Sequence, residues 1–281
     1  NNDYLHINIA IFARQMTLNF YKYQATGNDF VMIDNRLQSF DKNDTKLVAA
    51  LCDRRFGIGA DGLILLENSS NYDFEMVYFN ADGNQSSMCG NGGRSIVAFA
   101  KQLGIIGNST RFLAVDGPHE ARLKNTIIDL KMQSVSEIHS ASDYVTLNTG
   151  SPHYVAFKSE IDALDMKKEG SQIRNSSFFK DEGINVNFVS KLRQNTFGIR
   201  TYERGVEDET LSCGTGATAA AIAMHFMKKS SSDNIVLETK GGALHVSFHY
   251  ADGVYSNVWL SGAANFVFQG VFSLNIESNE Y

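Results

Sequence analysis

The chain is poor in cysteine. Its three, Cys52, Cys89 and Cys213 among 281 residues, are too few and too dispersed for a disulfide scaffold or a CxxC-type zinc site, and are expected as thiols. It also lacks an excess of basic charge. With 25 Lys and Arg against 31 Asp and Glu the net charge is -6, which gives no electrostatic footprint for nucleic acid or an anionic membrane and leaves a small polar substrate open. No apolar run approaches the roughly 20 residues of a membrane span. The opening stretch NNDYLHINIAIFARQ has neither a basic region nor a small-residue cleavage site, so a cytoplasmic protein is expected. The seven histidines show no metal-ligand spacing. Only His153, beside Pro152, stands in a suggestive place, and its ordinary reading is structural.

What is present reads as mixed strand and helix. Residues 1–15 look like an upstream extension or expression remnant. From Met16, LNFYKYQ and FVMID read as strands around the turn ATGND, and Asp44 is placed to cap a helix over DTKLVAALCDRR. Cys52 on that helix reads as a small buried hydrophobe. Strands GLILL and DFEMVYF follow. Next comes a helix from about Gly92 to Leu103, with Ile96, Val97, Ala100 and Leu103 on one face and Gly104 as its stop. RFLAV, EARLK, IIDLKM and YVTLN then read as strands. After TGSP the grammar repeats: HYVAFK, a helical stretch IDALDMKKEG, INVNFV, FGIRTYE, a helix from about Gly216 to Lys229, and the closing strands NIVLET, ALHVSF and GVYSNVWL. The alternating HVSFHY is a candidate edge for pairing between subunits.

The repeat is a duplication. Tyr78 aligns with Tyr202, Cys89 with Cys213 and Gly90 with Gly214, an offset of 124 residues throughout, far too long for a solenoid period. Two pseudo-symmetric α/β domains, 16–148 and 149–281, facing each other across a cleft bring the two cysteines together. In CGNGGR and CGTGAT the glycines allow a tight turn into a helix whose N–H groups attract an anion. That favours a lowered thiol pKa and a seat for a carboxylate. One thiolate can then remove an α-proton while the opposite thiol delivers another to the other face, with no carbanion-stabilising cofactor.

Other readings of these residues are inert core cysteines or a redox-active pair. GTGATA also matches a dinucleotide fingerprint, but it follows the polar run GVEDETLSC rather than a strand end, and the signal is weak.

The separated motifs ATGNDF, RRFGIGADG, FNADG, MCGNGGR, NTGSPH, INVNF and YERGVEDETLSCGTGA together resemble the diaminopimelate epimerases from about Met16 onward. Related proline racemases usually carry histidine in place of Asn91, and PhzF-like isomerases lack the cysteine pair. The resemblance implies two domains, each a mostly antiparallel sheet wrapped around a central helix. It implies cofactor-independent, metal-free epimerisation of LL- to meso-2,6-diaminopimelate in lysine and peptidoglycan-precursor synthesis, by a homodimer. Cys89 and Cys213 match the two bases. Gly90, Asn91, Gly214 and Thr215 match the backbone donors to the reacting carboxylate. Asn28 and Glu203 match contacts to the reacting amino end, and Asn80, Asn185 and Arg204 match the group that reads the distal amino acid. Arg204 can grip a carboxylate bidentately, and asparagines read a zwitterion without adding charge. Two departures stand out: Ser151 where many members have asparagine, and Gly62 where some have glutamine. Alternatives are a racemase of proline or hydroxyproline type and a non-catalytic binding protein with a cysteine switch.

Overall fold

The structure, a computed structural model, describes residues 14–86 and 88–276. The extension expected over residues 1–15 lies outside the described residues up to residue 13, whereas Arg14 and Gln15 already belong to the first strand. β1 (Arg14–Ala25) and β2 (Asn28–Asp34) form a hairpin over Thr26 and Gly27, both at positive φ. α1 (Thr45–Cys52) starts where the Asp44 carboxylate accepts the Leu47 N–H at 2.9 Å. β3 (Gly62–Glu67) and β4 (Glu75–Asn80) lead into α2 (Gly90–Gln102), and Gly104 at φ +71 stops that helix. β5 (Ser109–Ala114), β6 (Gly117–Lys124) and β7 (Ile127–Lys131) end the first half.

The second half runs β8 (Ile138–Ser140), β9 (Tyr144–Asn148), β10 (Pro152–Phe157), α3 (Met166–Arg174), β11 (Asn185–Arg193), β12 (Thr196–Glu203), β13 (Asp208–Thr210), α4 (Gly214–Phe226), β14 (Asn234–Thr239), β15 (Gly242–Ala251), β16 (Val254–Ala263) and β17 (Asn265–Ile276). The duplication extends to the ladder. β2 runs parallel to β3 across α1 and β4 to β5 across α2. Likewise β10 runs parallel to β11 across α3 and β12 to β14 across α4, and the other pairings are antiparallel. The expected architecture is borne out: two repeated α/β units, mostly antiparallel, each around one buried helix.

Three expectations need correction. α3 begins at Met166 rather than near Ile161, because the Asp165 carboxylate accepts the Lys168 N–H at 3.1 Å and starts the helix there, while Ile161 is buried in the core beneath it. The chain does not end its strands at GVYSNVWL. β17 follows and pairs with β1 of the first half, while β8 pairs with β9. The first half is thus bordered by a strand from the end of the second, and β7 pairs with β16 to join the two again. HVSFHY is no free edge, since β15 has β14 on one side and β16 on the other.

The core explains the composition of the strands. All six residues of β3 are buried. Ile64 and Leu66 face the cluster around α2 and α4, and Leu63 and Leu65 face a second cluster against α1. A strand covered on both faces reads as a continuous apolar run rather than an alternating one. Ile96, Val97 and Phe99 of α2 have no exposure, each worth about 1.5–3 kcal/mol of burial. α4 is lined by alanines at the same depth, so it sits close to the strands around it.

Candidate active site

Cys89 is the N-cap of α2 and its sulfur accepts the Gly92 N–H at 3.4 Å. Cys213 is the N-cap of α4 and accepts the Gly216 N–H at the same distance. First-turn N–H groups have no partner within their own helix, so those of Gly90, Asn91, Gly214 and Thr215 are free for an anion. The two helices meet at their glycines. A Cβ on Gly90 would lie 3.3 Å from Gly214 Cα and 3.1 Å from Leu260 Cδ2, and one on Gly214 would lie 3.2 Å from Gly90 Cα and 2.9 Å from Leu260 Cδ2. Neither glycine has a positive φ. They are required by close approach and not by conformation.

Each sulfur has a second neighbour. The Asn28 amide nitrogen is 3.8 Å from Cys89 Sγ, and its Oδ1 is buried with no hydrogen-bond partner among the described residues. The next residue, Asp29, is held by an ionic clamp: Arg54 donates to Asp29 at 2.7 and 3.1 Å and to Asp61 at 2.7 Å, and Lys22 pairs with Asp29 at 2.8 Å. On the other side Thr215 Oγ1 is 3.4 Å from Cys213 Sγ and 2.9 Å from His153 Nε2. The Asn187 amide donates to the Tyr154 carbonyl at 2.9 Å and so also presents N–H to His153 Nδ1 at 3.1 Å. The His153 proton therefore sits on Nε2 and goes to Thr215, whose own hydroxyl hydrogen is left for Cys213. Burial holds His153 down at about 3, with the Arg204 charge adding to it, so the ring is neutral near pH 7.

The thiols differ from expectation. Burial pushes both above the ordinary cysteine range, and the Glu203 charge raises both further. The N–H groups of Gly92 and Asn91 on Cys89, and the Thr215 hydroxyl and Gly216 N–H on Cys213, pull down without overcoming it. The helix N-terminus acts in the expected direction, but removing a thiolate from water costs more than a few donors return. Burial also raises the Glu203 carboxyl, opposed by the Thr210 hydroxyl.

A second polar group surrounds Ser151. Asn185 donates to Ser151 Oγ at 2.9 Å and to the Pro152 carbonyl at 3.0 Å, and its Oδ1 accepts the Arg204 backbone N–H at 2.9 Å. The Arg204 guanidinium donates to the Glu182 carbonyl at 2.9 Å and to Ser151 Oγ at 3.4 Å. The serine hydroxyl thus ties Asn185 to Arg204. Asn80 lies exposed at the end of β4, and no side-chain hydrogen bond joins it to that group. Gly62 has no space for a side chain: a Cβ there would lie 2.5 Å from the Phe79 carbonyl and 2.6 Å from the Tyr78 ring. The Asn91 side chain is buried and turned to the protein, donating to the Ser212 carbonyl at 3.1 Å. That leaves Asn91 only its backbone N–H for a ligand.

Asn187, Thr26 and Ser212 escaped the sequence reading. Asn187 had a signal, since it stands two residues after Asn185 on the same face of a strand whose first five residues are otherwise apolar. Thr26 and Ser212 had none, because their 2.7 Å hydroxyl contact spans 186 residues. Among the described residues no three His, Cys, Asp or Glu are grouped to hold a metal ion, and no helix is long and apolar enough to cross a membrane.

The family model of diaminopimelate epimerase matches residues 20–132 and 145–267. The chain belongs to the diaminopimelate epimerase family. It is 57% identical over 253 residues to a diaminopimelate epimerase of Flavobacterium psychrophilum, covering 90% of this chain and 99% of that one. It is 41% identical to one of Chlorobaculum tepidum, over 88% and 98% of the two chains. Among solved structures it is similar to a PhzF-family protein of Bacillus anthracis, with TM-score 0.72, 13% identity and coverage of 93% and 100%. It is also similar to a hydroxyproline epimerase of Agrobacterium vitis, with TM-score 0.67, 12% identity and 94% of each chain. At those identities the structural likeness is one of fold. The family's two-domain fold is the one described above.

Proposed function

We propose that the protein interconverts LL- and meso-2,6-diaminopimelate by proton transfer at one α-carbon, with Cys89 and Cys213 as the two bases and no metal or organic cofactor. The observation that carries this reading is the meeting of two cysteine-capped helix N-termini at Gly90 and Gly214. The substrate carboxylate sits on the N–H groups of Gly90, Asn91, Gly214 and Thr215, which places the α-carbon between the sulfurs. One thiolate takes the α-proton: the C–H bond breaks, an S–H bond forms, and the electron pair spreads into the carboxylate, where the helix donors stabilise it. The opposite thiol then gives its proton to the other face, and the two sulfurs have exchanged roles. Asn28 and Glu203 take the reacting ammonium, whose positive charge offsets the burial that holds the thiols protonated in the empty site. Arg204, Asn185, Ser151 and Asn80 read the distal amino acid.

In the cell the reaction is proposed to run in the cytoplasm, in lysine and peptidoglycan-precursor synthesis. A homodimer is proposed as well. Phe266, Val267, Phe268 and Val271 of β17 are 45–62% exposed, an apolar segment that a second copy can cover. The test of function is incubation of the reduced protein with LL-diaminopimelate in deuterated water. Meso product carrying deuterium at the α-carbon supports the proposal, and neither product nor exchange with free thiols refutes it.

A further inference from the structure

We propose that Arg94 is a buried cation without a counter-charge that makes the two helix mouths electrically unequal, so that Cys89 ionises before Cys213. Arg94 lies one turn into α2 and has no exposure. Its guanidinium touches only neutral acceptors: Nη1 donates to the Gly90 carbonyl at 3.1 Å, and Nη2 to Asn91 Oδ1 at 2.8 Å and Thr26 Oγ1 at 3.1 Å. Its Nε has no hydrogen-bond partner, and no carboxylate pairs with it among the described residues. Buried charges are ordinarily paired, because an uncompensated one is costly. Burial lowers Arg94 to about 10, so it is still charged at neutral pH, and the one group pushing it back up is Cys89.

The duplication supplies an internal comparison. An offset of 124 residues places Thr218 where Arg94 stands in the first half, and the Thr218 hydroxyl donates to the Gly214 carbonyl at 3.0 Å. In both halves the carbonyl of the first helical residue receives a side-chain donor four residues on. In one half that donor is a cation and in the other a neutral hydroxyl. The Gly90 carbonyl shares its peptide with the Asn91 N–H, which pulls the Cys89 thiol down. A cationic donor on the carbonyl polarises that N–H further, and its charge acts through a dry interior.

The other charged groups facing the thiols do not single out Cys89. Glu203 on β12 raises both, and Tyr78 on β4 is itself held protonated by burial. The neutral donors differ, with the Asn28 amide 3.8 Å from Cys89 and the Thr215 hydroxyl pulling Cys213 down. Lys22 and Arg54 are engaged by Asp29 and Asp61. Arg94 is thus a positioning residue for charge. Its catalytic meaning rests on the two-thiol reading above: it decides which sulfur holds the proton in the resting site.

The test needs no substrate, so its outcome is independent of whether diaminopimelate is turned over. The reduced protein is alkylated with iodoacetamide over roughly pH 7 to 10, below the thiol midpoints, where each modification rate tracks the thiolate fraction, and Cys89 and Cys213 are followed separately by peptide mass spectrometry. Cys52, pushed up to about 12 by burial, is the internal control for a folded chain. In the unsubstituted protein Cys89 should be modified about 10-fold or more faster than Cys213. R94Q should slow Cys89 about 10-fold and leave the Cys213 rate in place, while R94K, which keeps the charge, should stay close to the original. The proposal is overturned if Cys89 reacts no faster than Cys213 in the unsubstituted protein, a result that stands even if R94Q does not fold. It is also overturned if folded R94Q leaves the Cys89 rate unmoved, or if R94K moves it as far as R94Q.

Discussion

Gly214→Ala tests the claim that the active site depends on the contact between two helix ends. The new methyl would meet Leu260 Cδ2 at 2.9 Å and Gly90 Cα at 3.2 Å. The leucine can rotate away, but the Gly90 Cα belongs to the backbone of α2 and can yield only if the helices part. Carbon atoms are comfortable at about 3.5–4.0 Å, so the helices must separate by a few tenths of an ångström. Overpacking of this kind costs about 1–3 kcal/mol. At roughly 2–4 °C per kcal/mol for a chain of this size, Tm should fall by about 2–12 °C. Turnover should fall further than stability suggests, by about 10- to 100-fold, because both cysteines and the carboxylate donors move with the helix ends. Calorimetry and an epimerisation assay on the same preparation measure both. A variant with Tm and turnover both unchanged would show that the glycine contact does not set the geometry.

Three further outcomes are expected. Cys89→Ala and Cys213→Ala should each reduce epimerisation to background while the circular dichroism spectrum is retained; near-normal turnover in either would sink the two-base assignment. Arg204→Met should lower kcat/KM for diaminopimelate by about 10- to 100-fold, the value of one charge-assisted hydrogen bond of about 1.5–3 kcal/mol, and indifference would remove Arg204 from substrate recognition. The third concerns His153. Its folded value of about 3 lies below the ordinary 6.5, so the unfolded chain takes up a proton that the native protein refuses. Stability is intact above about pH 6.5 and is lost as pH falls toward 3, by up to about 1.4 kcal/mol per unit. His153→Gln should flatten that part of the Tm–pH profile, and an unchanged slope would show that His153 does not titrate as argued.

Much of the site was legible because it is local. A cysteine followed by glycines at a helix start is a sequence feature, and its recurrence after 124 residues places α2 and α4 in register with each other. The caps of α1 and α3 are aspartates in the chain, although the start of α3 needed Asp165 to be chosen over an earlier residue. Other features are contacts between distant segments. The inward turn of the Asn91 side chain depends on Ser212, and the neutrality of His153 depends on its full burial in β10 between β9 and β11. Tyr78 filling the space beside Gly62 depends on the register of β3 against β4.

The sequence by itself determined the two repeated units, their strand and helix grammar, and the identity of the paired thiols, since propensity, capping and periodicity act over a few residues. The tertiary structure alone decided that β17 closes the sheet of the other half, that both thiols are raised by burial, and that Arg94 has no counter-charge among the described residues. Those follow from which atoms exclude water and which backbones approach, and desolvation is a property of the packed interior that no single stretch of chain carries.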